Sequence, residues 1–87
     1  MHESRLVTNL MDEAVRIAAL SPSEKVQEVK LSIGALSHVT PPSLESHMKE
    51  AAHGTLIDDA AFTITKATDL YAADALDVRL VSMRVGE

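Results

Sequence analysis

The chain opens Met1-His2-Glu3 and contains no cysteine. A free amino terminus followed at once by histidine is a ready chelate. The α-amine nitrogen and the His2 backbone nitrogen close a five-membered ring, and the His2 imidazole adds a six-membered ring through Nδ1. Provided the amide deprotonates, that places three nitrogens in one plane. The Glu3 backbone nitrogen, or a side chain from elsewhere, supplies the fourth. Square-planar nitrogen ligation suits Ni(II) or Cu(II). The amine has a reference pKa of about 7.7–8.0, so it loses its proton near neutral pH, and that proton release makes affinity pH-dependent. Residue 2 is bulky, so the initiator Met should stay, because processing aminopeptidases prefer small second residues. By itself a Met-His start is weak evidence for a metal, and a plain helix-start histidine is the simpler reading.

The remaining residues offer little chemistry. His38 falls in a loop, while His47 and His53 lie on or just after a second helix. His47 and Glu50 are three apart, a spacing more common on a solvated polar face than at a metal, and there is no His-x-x-x-His pair. No serine has a Gly-x-Ser-x-Gly setting, and three glycines make no phosphate-binding loop. Enzymatic activity is not expected. The missing thiols exclude disulfides and thiolate metal sites, and fit a reducing, cytoplasmic setting.

Charge and length narrow the classes further. The formal net charge is −5 and Lys and Arg form no cluster, so nucleic-acid binding lacks its electrostatic driving force. From Asp58 to Asp77 five acids stand against Lys66 alone, which reads as a solvated face before it reads as a surface for a basic partner. No apolar run is long enough for a membrane span. The first twenty residues carry Glu3, Arg5, Asp12, Glu13 and Arg16, unlike a signal peptide. Eighty-seven residues, 46% of them apolar, make one small domain over 1–87. Phe62 and Tyr71 are the only aromatics, so the core should be thin.

The elements that must position the chain start follow from periodicity. Residues 3–20 predict an amphipathic helix, with Leu6, Val7, Leu10, Met11, Ala14, Ile17 and Ala18 recurring at three- and four-residue steps. Glu3 suits a helix start, where the macrodipole is positive, and Ser21-Pro22 should stop the helix. Residues 25–36 predict a strand in which Val29, Leu31 and Ile33 alternate with Glu28, Lys30 and Ser32, with Gly34 permitting a bend or close approach. Thr40-Pro41 marks a helix start whose stripe is Leu44, Met48, Ala51 and Ala52, stopped at Gly54. Strands follow at 61–67 and 76–85; the phase of the last shifts between Leu80 and Met83, which predicts a β-bulge at Val81-Ser82. The expected fold is α+β: two helices packed on one face of a small three-stranded mixed sheet.

Met1-His2-Glu3 with Leu6-Val7, the run Val29 to Val39 (VKLSIGALSHV), the Pro41–Leu44 helix start, Gly54-Thr55 and Val81 to Val85 stand in one order along most of the chain. In these the chain resembles the HypA/HybF family of nickel metallochaperones for hydrogenase and urease maturation. The resemblance implies that Ni(II) is held transiently by Met1, His2 and Glu3. It also implies a GTPase partner, HypB, or a hydrogenase large subunit. Family members carry a zinc ribbon of two Cys-x-x-Cys pairs between the second strand and the last. Here Lys66 to Ala75 forms a short bridge instead, so no zinc ribbon and no zinc are expected. Two readings follow: a metallochaperone, or a zinc-less paralogue acting as a protein-interaction adaptor. In the second reading the interaction surface would be the sheet edge or the sparse face of the second helix, and an uncovered edge strand makes a homodimer plausible.

Overall fold

The computed structural model describes the backbone of residues 2–21 and 25–86, with side chains from Arg5 onward. The elements run α1 (His2–Ala18), β1 (Lys25–Ile33), α2 (Pro41–Ala52), β2 (Ala61–Lys66) and β3 (Val78–Gly86). β1 lies in the middle of the sheet, parallel to β2 and antiparallel to β3, so the sheet is mixed, in the order β2-β1-β3.

Both helices cover the same face. Val26, Val29, Leu31 and Ile33 of β1 are buried against Val7, Leu10, Met11, Ala14 and Ala18 of α1 and against Leu44, Met48 and Ala52 of α2. Phe62 is buried on the same side. The opposite face carries Glu28, Lys30 and Ser32, with Thr63, Thr65, Arg79, Ser82 and Arg84 beside them in register. The expected architecture is therefore the one observed.

Several boundaries move for physical reasons. α1 ends at Ala18, ahead of Ser21-Pro22, and the chain tightens through i→i−3 bonds from Leu20 N–H to Ile17 O and Ser21 N–H to Ala18 O; Pro22 itself lies outside the described residues. β1 stops at Ile33 because Gly34 turns away and donates its N–H to Asp77 O at 2.7 Å. Thr40 occupies the N-cap of α2, but its side chain makes no capping bond. Pro41 and Pro42 lack two of the N–H groups such a cap would satisfy. Ala51, placed in the apolar stripe of α2, is exposed. Leu76 is not in the third strand but in the turn before it, where it is 70% exposed.

The predicted bulge is present: Lys30 pairs with Ser82 and Leu31 with Leu80, leaving Val81 as the extra residue. A second irregularity lies between Val26 and Glu28, where Gln27 is the extra residue on β1. Among the described residues no helix is long and apolar enough to cross a membrane.

Candidate metal centre at the amino terminus

α1 starts at His2. The first four N–H groups of any helix have no intrahelical acceptor, so the backbone nitrogens of residues 2 and 3 are not consumed by the helix ladder. These are the nitrogens that a chelate at the chain start requires. Met1 lies outside the described residues, and so do the side chains of His2 and Glu3.

What lies beside this end of α1 is described. Leu6, one helical turn on from residue 2, borders an open groove of about 430 Å³. One wall is the loop after β1, through Ser37 and Val39; the other is the turn leading into β3, through Leu76 and Asp77, with Val78 at the strand's start. The walls are tied together from below. Leu36 N–H donates to Ala75 O at 2.8 Å, and Lys66 Nζ donates to Ser37 O at 2.8 Å. The Ser37 hydroxyl accepts Val39 N–H at 3.2 Å. The groove is therefore a product of the bridge between β2 and β3 folding back onto the turn at Gly34.

The other histidines do not gather around it. His53 Nδ1 lies 3.6 Å from Asp58, whose Oδ2 also accepts Gly54 N–H at 3.0 Å, and both side chains face solvent. His38 is exposed in the loop after β1. Among the described residues no three His, Asp or Glu side chains converge as a metal cluster.

A polar cluster that sequence reasoning missed sits on the open face of the sheet. Glu28 accepts from the Thr63 hydroxyl and from Arg84 Nε at 3.4 Å, while Arg84 Nη1 donates to Gln27 Oε1 at 2.6 Å. The Thr63 hydroxyl is the main influence holding the Glu28 carboxyl below the ordinary glutamate range. Arg84 and Lys30 add to it, and desolvation opposes it. The three residues lie on three strands, and no local spacing signals them.

The fold is a small α+β domain, two helices on a mixed sheet, with a partly apolar groove beside Leu6 near the start of α1. This chain belongs to the HypA family: the family model described as "Hydrogenase/urease nickel incorporation, metallochaperone, hypA" matches residues 1–71. That family is one of metallochaperones, not of enzymes. The hydrogenase maturation factor HypA of Nitrosospira multiformis is 39% identical over 67 residues, 77% of this chain and 58% of that protein. HypA of Rhizobium leguminosarum bv. viciae is 32% identical over 66 residues, 76% of this chain and again 58% of the relative. The chain thus spans less than two thirds of these relatives. The solution structure of the Ni metallochaperone HypA from Helicobacter pylori superposes with a TM-score of 0.74 over 93% of this chain and 94% of that one. At 17% identity, that similarity is one of fold.

Proposed function

We propose that this chain is a nickel metallochaperone that binds Ni(II) transiently and delivers it during maturation of a [NiFe]-hydrogenase or a urease. The α-amine of Met1, the backbone nitrogen and imidazole of His2, and the backbone nitrogen of Glu3 form the donor set. The carrying observation is that the family match begins at Met1 and includes all three residues. The start of α1 at His2 supports it, since the nitrogens required are the ones a helix leaves without partners. The positive end of the helix dipole works against a bare cation there. It works in favour of losing an amide proton, and the resulting anionic nitrogen offsets part of the metal charge.

The metal is cargo, so the site must be able to open and release it. With no thiolate in the chain, zinc has no part in this reading. The recipient is the maturation GTPase HypB or a hydrogenase large subunit, the setting is cytoplasmic, and the chaperone works as pairs of copies. The alternative of a zinc-less adaptor that keeps the fold without carrying metal has no equal support, because an adaptor has no use for the Met-His-Glu start.

The test is titration of untagged protein with Ni(II), followed by absorption of the square-planar nickel–nitrogen complex. Wild type should saturate at one equivalent, and a His2→Ala variant should show no such band. Equal binding by both would overturn the proposal. Copper serves as a positive control for the donor set, since it binds nitrogen sites at least as tightly as nickel.

A further inference from the structure

The bridge between β2 and β3 leaves and returns at the same end of β1. Ala67 N–H donates to Ile33 O at 2.8 Å, and Gly34 N–H donates to Asp77 O at 2.7 Å. Around this clamp large apolar side chains stand in solvent: Leu36 is 46% exposed, Leu70 53%, Tyr71 95% and Leu76 70%. A single exposed leucine is ordinary on any protein, whereas a group gathered on one segment marks a contact surface. Leu36 donates its N–H to Ala75 O, the residue just before Leu76, so these two leucines are neighbours across the clamp. Leu76 also lines the groove that Leu6 borders near the start of α1.

The surface is preformed, and its charge selects a kind of partner. Tyr71 N–H donates to Asp69 Oδ1 at 3.0 Å, Ala75 N–H to Ala72 O at 3.1 Å, and Ala75 itself is buried. Successive turn bonds thus fix the segment, and little ordering is left for a partner to impose. Asp69, Asp74 and Asp77 stand on the bridge against Lys66 alone, and the Lys66 ammonium is committed to Ser37 O. Asp74 holds Arg79 at 3.3 Å, while Asp69 and Asp77 have no ion-pair partner among the described residues. An acidic rim repels nucleic acid and anionic lipid. It suits a protein whose apolar contact is ringed by Lys and Arg.

We propose that Leu36, Leu70, Tyr71 and Leu76 form the docking surface for the protein that receives the metal, and that the receiving face is apolar with a basic rim. The inference rests on the nickel-carrying reading and deepens it by assigning the surface. A recipient seated on Leu76 lies over the groove beside Leu6, one helical turn from residue 2, where the cargo would be handed over. Tyr71 supplies a large ring with a polar tip, the combination that makes tyrosine a frequent interface anchor. The fold makes almost no use of that ring, since nearly all of it faces water.

The test is calorimetric titration of the untagged full chain with purified maturation GTPase HypB and, separately, with purified hydrogenase large subunit. Wild type should bind at least one of them. Tyr71→Ala and Leu76→Ala should each raise that dissociation constant by about tenfold or more, with an unchanged circular dichroism spectrum. Asp77→Asn should weaken binding at low salt, and the difference should shrink as salt is added. Leu56→Ala is the control and should bind like wild type. Leu56 is 51% exposed, but its turn lies at the opposite end of β1, where Lys25 meets Asp59 at 3.7 Å. Wild-type affinity in both Tyr71→Ala and Leu76→Ala would overturn the surface and leave the recipient standing. An equal loss in Leu56→Ala would overturn it too, as non-specific adhesion. Unchanged affinity of Asp77→Asn at low salt would overturn the basic rim. A wild type that binds neither protein would overturn the surface together with the recipient part of the proposed function. Nickel titration judges the metal-carrying proposal separately from all of these.

Discussion

Gly34 and Ala75 approach so closely that a Cβ on the glycine would sit 2.2 Å from the Ala75 carbonyl oxygen. The contact docks the bridge preceding β3 onto the turn that ends β1, and both segments then wall the groove beside the start of α1. The obstructing atom belongs to the backbone and cannot rotate aside. Gly34→Ala should therefore destabilise the fold by about 2–3 kcal/mol, as overpacking does when nothing can yield, read as a lower urea midpoint.

Gly54 gives the complementary case. Its φ is +82°, and a Cβ there would meet nothing within 4 Å. Gly54→Ala should cost about 1–2 kcal/mol through backbone conformation alone. Urea midpoints of the two variants compare the mechanisms: the loss at Gly34, where backbone blocks the added atom, should exceed the loss at Gly54, where only φ resists it.

The thin core rests on aliphatic side chains. Met48 is fully buried between the helices and the sheet, whereas Tyr71, one of the two aromatics in the chain, is 95% exposed. Met48→Ala should lower stability by about 2–5 kcal/mol. Tyr71→Ala should change it by no more than about 0.5 kcal/mol. Thermal melts of both variants check the pair.

Glu28 predicts an acid-side dependence. Its carboxyl is held below the ordinary range in the folded chain, chiefly by the Thr63 hydroxyl. A group with a depressed folded pKa contributes stability that is present above its unfolded value, about 4.3, and is lost as pH falls through the folded value. Unfolding free energy should therefore drop below about pH 4. Thr63→Val should move the Glu28 titration upward and flatten part of that drop, with carboxyl chemical shifts as the readout.

Nickel affinity should rise with pH through the range in which the imidazole, about 6.5, and the amine, about 7.7–8.0, lose their protons. Each displaced proton contributes about tenfold per pH unit below its pKa. A residue added ahead of Met1 converts the amine into an amide and should abolish the complex at every pH. Unchanged absorption in the extended protein would show that the amine is not a donor.

Much of the fold is legible in local pattern. The stripe of α1 from Val7 to Ala18, the alternation in β1 and the stop at Gly54 follow from side-chain periodicity and backbone freedom, which neighbouring residues determine. The Val81 bulge was visible as a phase shift for the same reason. The irregularity at Gln27 left no such mark, because it is a property of the pairing with Arg84 rather than of β1. Ile57 and Ala60 are buried outside any regular element, and Ala75 is buried in the bridge. Their burial depends on what passes over them.

Residue types and local spacing are enough for the donor atoms at the chain start, for the exclusion of thiolate chemistry and for the outline of two helices and three strands. The central place of β1, the exposure of Val81 and Val85 on β3, and the joining of Glu28 to Thr63 and Arg84 come instead from packing in three dimensions. The reason is physical. A residue's type and its near neighbours set backbone preference and which side is dry, whereas strand order, grooves and shared hydrogen bonds arise from contacts between segments tens of residues apart.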